Sequence, residues 1–371
     1  EIATIFRMTS RIIPMPISTP EKSKDLQPST ALWRLRRPDK APHRFDATDA
    51  ASARAWQTRT RLALAQRIGL SQIPAAAPRA RVIDEVDKGD YVRQKILLRT
   101  GPNTLMPVYM LLPRRVPEPL PVVLAFHGHG YGAKDIVGLW EDGQERNTPD
   151  GYHKDFGVAL CRAGFAVAAP EISCFGERQT DFSYLNTLLG QPTPSTCQHT
   201  AMLAFHLGIS VVGLRAHDGL RLVDYLETRR DLDTGRLGAM GISGGGMHTF
   251  FSTCLDPRIR ACVVSGYFST FRDSILAMSH CACNYVPGLA EFGEMYDLAG
   301  LIAPRPMLVE AGNRDPIFPL RAVRASVAKA RAAYAVFGAR DALATDYFEG
   351  RHQISGRRAY DFLQRNLAPA N

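Results

Sequence analysis

The chain has 371 residues, 45% of them hydrophobic and 22% charged, with a formal net charge of +9. That length holds one large α/β domain with extensions, or two smaller domains, and the composition is that of an ordinary soluble globular protein. The positive excess is scattered arginine with one denser run at Arg34, Arg36, Arg37, Lys40 and Arg44. Without an aromatic-interleaved basic patch it reads as solvated surface, not a nucleic-acid interface. No stretch has the apolar length of a membrane span. The seven cysteines, spread from Cys161 to Cys283, read as mostly reduced thiols of a cytosolic protein, with a single disulfide left open. Residues 1–20 are interrupted by Arg7, Arg11, Pro14 and Pro16, which is not a signal-peptide core; the initial Glu leaves a removed leader open.

Residues 1 to about 45 are rich in Pro, Ser and Arg without periodicity, and are expected to form an extended arm ordered only against the body or a partner subunit. Ala50 to Ile68 has few breakers and helical spacing, so a helix is expected, ended by the linker at Pro74 to Pro78. Tyr91–Arg99 and Leu105–Leu112 flank a turn at Gly101-Pro102-Asn103 and predict an antiparallel hairpin. Pro121–Phe126, Phe165–Ala169, Ile259–Ser265, Pro306–Ala311 and Thr345–Phe348 are apolar runs of buried strands. Helices are expected at Asp155–Ala163, around Leu214–Leu226, and at Met247–Leu255, Leu320–Val336 and Gly356–Leu367. Glu171 to Cys197 reads as a long loop, in which Phe175-Gly176-Glu177-Arg178 fixes the geometry through a Glu-Arg interaction. Tyr267 to Pro304 is too long for a plain crossover and reads as a small cap over a site. The alternation predicts an α/β fold: a mostly parallel central sheet with helices on both faces.

The chemistry centres on Leu237 to Met247, where a strand pattern runs through Gly241-Ile242-Ser243-Gly244-Gly245 into a helix. A strand, sharp turn and helix around Gly-x-Ser-x-Gly is the nucleophile elbow, whose strained serine needs small neighbours two residues away. Gly241 and Gly245 supply them. A serine hydroxyl needs a positioned base, and the base an orienting carboxylate. Both follow in order: Asp315 after the Pro306–Ala311 strand and His352 after the Thr345–Phe348 strand. Glu310, inside its strand, and Asp341, ahead of the last strand, are worse placed. An oxyanion needs two backbone donors. Gly244 is one, and His127-Gly128-His129-Gly130 offers the other, with His129 first and Gly128 or Gly130 behind it. A metal reading of His127 and His129 lacks a third ligand. His280-Cys281-Ala282-Cys283 lacks the usual zinc spacing and reads as cap packing. No metal is therefore expected. His127, Tyr267 and Phe268 are candidates for the pocket wall.

These residues resemble the α/β-hydrolase superfamily, and within it the dienelactone hydrolase-related group that includes acetyl xylan esterase-like proteins. The likeness rests on His127 to Gly130, on Asp231-Leu232-Asp233 through Arg236 into Gly241–Gly245, on Leu301-Ile302-Ala303-Pro304-Arg305-Pro306, and on Asp315 and His352. It covers the chain from about Tyr91 onward; the segment before Leu70 carries none of it. The domain division expected is an N-terminal arm and helix over residues 1–80 and an α/β-hydrolase catalytic domain over 81–371, with the cap at about 267–304. The resemblance implies hydrolysis of a small-molecule carboxylic ester without a cofactor. Dienelactone hydrolase uses a cysteine nucleophile where this chain has Ser243, so lactone specificity is not implied. The expectation is a short-acyl serine esterase, with acetyl esters among its candidate substrates, in a chain whose self-association the sequence leaves open. A prolyl oligopeptidase-type peptidase and a non-catalytic binding protein are the alternatives.

Overall fold

The computed structural model describes residues 24–114, 116–117, 119–183 and 195–369. Its centre is a nine-stranded sheet of β1 (Ala80–Asp87), β2 (Tyr91–Gly101), β3 (Thr104–Pro113), β4 (Leu120–Phe126), β5 (Ala166–Pro170), β6 (Leu232–Ile242), β7 (Ala261–Ser265), β8 (Met307–Gly312) and β9 (Leu343–Phe348), in the order β1-β2-β3-β5-β4-β6-β7-β8-β9. The first three strands form an antiparallel ribbon joined antiparallel to β5, and the remaining pairs are parallel.

The sheet is buried on both faces because alternate residues point to opposite sides. Val122, Leu124, Phe126, Ala239, Cys262, Val264 and Val309 join one apolar cluster, whereas Val123, Ala125, Met240, Val263 and Leu308 join the other. The first face is covered by α2 (Ala50–Arg67), α5 (Val211–Leu226), α6 (Gly244–Leu255) and α8 (Leu320–Val336). The second is covered by α3 (Phe156–Arg162) and α9 (Ala359–Asn366). The other α-helices among the described residues are α1 (Pro28–Leu35), α4 (Thr196–His206) and the short α7 (Met295–Leu298). No single described helix is long and apolar enough to cross a membrane.

Several elements differ from the sequence expectation. The edge strand β1 was not anticipated; it is almost wholly exposed, so it lacks the apolar alternation that marks a half-buried strand. Instead of one helical region ahead of β6 there are two helices, α4 and α5, meeting at 95°. Cys197 lies in the first turn of α4, whose N-terminus is capped by Ser195, and not in a loop; residues 184–194 of the expected loop lie outside the described residues.

The arm is anchored to the body from α1 onward. Arg36 pairs with Glu294, Phe45 N–H donates to Asp297 Oδ1 at 3.1 Å, and Trp56 Nε1 donates to the Arg44 carbonyl at 2.9 Å. Asp49 caps α2 by accepting from Ser52 N–H at 2.8 Å, a contact that typically contributes about 1 kcal/mol. Glu294 and Asp297 both lie in 267–304, and that segment packs firmly too: Phe268, Phe271, Ile275, Phe292 and Met295 belong to the same apolar cluster as the sheet.

Candidate active site

Ser243 sits between β6 and α6 with φ 57° and ψ −120°, a conformation that costs a non-glycine residue of order 1–3 kcal/mol and persists only where the surroundings hold it. They do so by close approach. A Cβ on Gly245 would lie 1.8 Å from the Phe126 carbonyl oxygen, and one on Gly241 2.4 Å from the Gly245 oxygen. Ser243 N–H is fixed by the Ser265 carbonyl at 3.1 Å.

His352 and Asp315 meet as expected from their strand ends. His352 Nδ1 donates to Asp315 Oδ2 at 2.7 Å, and Asp315 Oδ1 accepts from Ile317 and Phe318 N–H at 2.9 and 3.1 Å. The carboxylate is thereby aimed. His352 Nε2 is buried without a hydrogen-bond partner among the described residues, and no hydrogen bond joins it to Ser243 Oγ; such pairs often tighten only with substrate. His129, Tyr152, Ser243, Gly244, Ser279 and His352 line one cavity of about 290 Å³, closed further by His280, Cys281, Asn284, Ile317 and Phe318. A larger apolar cavity of about 490 Å³ lies against α1, lined by Leu32, Leu35, Phe205 and Ile275, and it contains no nucleophile.

The loop after β4 is held by groups that the sequence reading missed. Gly128 N–H donates to His153 Nε2 at 2.7 Å, and His153 Nδ1 donates to Asp135 Oδ2 at 2.8 Å. Burial pushes the His153 imidazole below its ordinary pKa, against the pull of Asp135, so it is neutral and has one nitrogen for each partner. Burial alone would raise the Asp135 carboxyl, but hydrogen bonds from His153, Tyr131 and Arg146 hold it below the usual range. Arg146 also pairs with Asp155, and Tyr152 O–H donates to the His129 carbonyl at 2.6 Å. Gly128 N–H is therefore engaged, whereas His129 N–H has no acceptor among the described residues.

Three expected wall residues lie elsewhere. His127 is fully buried, with Nδ1 2.8 Å from the Gly128 carbonyl and Nε2 accepting from Ile172 N–H at 3.1 Å. It supports the loop from behind. Tyr267 and Phe268 are each 1% exposed; Tyr267 backs Phe318, and Phe268 packs on Phe250, with ring centroids 5.5 and 5.6 Å apart. The Phe175–Arg178 turn is not closed by its own Glu and Arg. Glu177 pairs with Lys95 at 2.6 Å and Arg178 with Asp218 at 2.6 Å. Glu310 does not contact His352. Its buried carboxylate accepts from Ser355 and Gly356 N–H at 3.4 and 3.1 Å, just beyond the histidine. Cys281 and Cys283 do more than fill the cap, since His129, Cys197, Cys281 and Cys283 bring one ligand atom each within 4.8 Å of the others. All seven cysteines are unbridged.

The Abhydrolase family model matches residues 34–345, so the likeness begins well before Tyr91 and takes in the end of the arm and the helix that follows it; His352 falls just beyond it. YtaP of Bacillus subtilis (strain 168), provisionally designated a hydrolase, is 27% identical over 295 residues, covering 76% of this chain and 90% of that protein. A protein of Bacteroides fragilis, provisionally designated an acetyl xylan esterase, superposes with a TM-score of 0.71 at 17% identity, covering 89% of this chain and 84% of the other. A glucuronoyl esterase from Solibacter usitatus gives 0.61 at 17% identity, with coverage of 87% and 95%.

Proposed function

The chain belongs to the Abhydrolase family and has the α/β-hydrolase fold; from that premise we propose that it is a serine carboxylesterase acting on short-acyl esters, acetyl esters of carbohydrates among them. The observation that carries this reading is the 2.7 Å Asp315–His352 pair beside a cavity that His352 shares with the strained Ser243. His352 takes the proton of Ser243 through Nε2, and the serine oxygen attacks the ester carbonyl. Asp315 keeps the proton on Nδ1 and stabilises the imidazolium as it forms. The developing oxyanion is held by Gly244 N–H, at the start of α6, and by His129 N–H. The alcohol leaves with a proton from His352, and water activated by the same histidine releases the acid.

The short-acyl preference rests on volume. About 290 Å³ is at the small end of ligand sites, which run from about 300 to 1,000 Å³, and Phe318 and Ile317 bound it. The carbohydrate alcohol is suggested by the acetyl xylan esterase and glucuronoyl esterase neighbours. The test is hydrolysis of p-nitrophenyl acetate, butyrate and octanoate by the native protein and by Ser243→Ala. Fast acetate turnover that collapses in the variant is expected. Octanoate turned over as fast as acetate overturns the acyl preference, and folded protein that neither hydrolyses the esters nor takes a fluorophosphonate label overturns the esterase.

A further inference from the structure

The four ligand atoms beside the cavity come from three distant segments. His129 follows β4, Cys197 lies in the first turn of α4, and Cys281 and Cys283 lie in the cap. All four fall within 4.8 Å of one another, and Cys283 Sγ is 3.8 Å from His129 Nε2. In a tetrahedral zinc site, with Zn–S of about 2.3 Å and Zn–N of about 2.0 Å, neighbouring ligand atoms are about 3.5–3.8 Å apart. The set therefore needs only a small contraction to close on an ion.

Charge gives a second, independent indication. Arg215, on α5, is fully buried, and its Nε and Nη1 have no hydrogen-bond partner among the described residues. Nη2 reaches only the Ser173 carbonyl, at 3.2 Å, and no carboxylate pairs with the guanidinium among the described residues. An uncompensated buried cation is strongly unfavourable. The groups that would act on it most strongly once ionised are the thiols of Cys283, Cys197, Cys174 and Cys281. Three thiolates and a neutral imidazole around a divalent ion carry a net charge of −1, which is the counter-charge Arg215 lacks.

We infer that His129, Cys197, Cys281 and Cys283 form a structural Cys3His zinc site that ties the loop after β4 to α4 and to the cap. Four protein ligands leave no open position, so the ion generates no hydroxide and its role is positional. The position matters because the His129 ring lies beside the elbow: a Cβ on Gly244 would be 3.2 Å from His129 Nδ1. If the esterase reading holds, the ion fixes the peptide whose N–H receives the oxyanion. Binding turns the three thiols into thiolates and releases their protons.

The test begins with metal analysis of protein purified under reducing conditions, for the native chain, for the double variant Cys281→Ser with Cys283→Ser, and for Cys161→Ser on the other face of the sheet. We expect about one zinc ion per chain in the native protein and in Cys161→Ser, and none in the double variant. Since that variant could fail to fold, native protein stripped by a chelator is also titrated with Co2+. The intense visible bands of a tetrahedral cobalt–thiolate centre are expected, as is recovery of melting temperature on adding Zn2+. Loss of the ion should lower ester turnover by about 10²-fold, as for a catalytic group displaced by about 1 Å. Native protein free of metal that develops no cobalt–thiolate bands overturns the site, as does zinc retained by the double variant. A disulfide among these cysteines in protein alkylated at lysis also overturns it. The metal and cobalt readouts do not depend on activity, so they stand apart from the esterase test.

Discussion

Glu310→Gln isolates the cost of keeping a carboxyl under the histidine loop. Glu310 is 1% exposed, and burial, with Asp346 adding to it, pushes its pKa from 4.5 up to about 7, although Ser265 and the Ser355 and Gly356 amides pull the other way. The folded chain therefore holds a proton between pH 4.5 and about 7 that the unfolded chain has lost. This contribution to stability is fully present below pH 4.5, declines as the pH rises through that window, and stays lost above it. The gap between 4.5 and about 7 corresponds to about 3 kcal/mol. Glutamine keeps the volume and cannot ionise, but it accepts from only one of the two amides, a loss of about 1 kcal/mol at low pH. Denaturant unfolding of both proteins from pH 5 to pH 8 should show the variant slightly less stable at pH 5 and more stable at pH 8. A difference between the two that does not change with pH would mean the carboxyl titrates normally in the fold, and the burial argument would be wrong.

Asp315→Asn should act on chemistry instead, lowering kcat for p-nitrophenyl acetate by about 10⁴-fold with little change in melting temperature, because the wrong imidazole tautomer is then stabilised. Glu310→Gln should leave kcat within a few-fold, which separates the orienting acid from its buried neighbour. His153→Ala removes the acceptor of Gly128 N–H and strips Asp135 of its histidine, so urea unfolding should show a loss of about 3 kcal/mol, with a fall in kcat from the loosened His129 peptide. Gly245→Ala puts a methyl 1.8 Å from the Phe126 oxygen, and the chain should lose more than about 3 kcal/mol or fail to accumulate as soluble protein; a stable, active variant would refute the close approach of α6 to β4.

What could be read from the sequence was what local chemistry dictates. The strained serine demanded Gly241 and Gly245, and the acid and histidine had to follow strand ends in a fixed order, so three distant positions could be named without a structure. The apolar runs located the parallel strands because each is buried on both faces. What stayed hidden depends on contacts between segments that no local pattern couples. Strand β1 carries charged residues on both faces. The arm has no periodicity, and its order comes from Arg36 reaching Glu294 and Phe45 reaching Asp297. His127 was placed on the pocket wall by its nearness to His129, yet its ring is fully buried against Ile172 N–H while His129 lines the cavity.

The same limit explains why the clustering of the cysteines was not foreseen. Cys281-x-Cys283 carries no diagnostic spacing, and the partners that change its meaning, Cys197 and His129, are brought in by α4 and by the loop after β4. His153 was equally silent, since nothing in Tyr152-His153-Lys154 signals that its two nitrogens bridge Gly128 and Asp135. Both features bear on the same residue from opposite sides: His153 engages the N–H before that of His129, Tyr152 the His129 carbonyl, and Cys283 the His129 ring. An oxyanion donor stabilises a transition state only if it is in place before charge develops. Holding one residue by its neighbour's N–H, its own carbonyl and its side chain meets that requirement without occupying the His129 N–H itself.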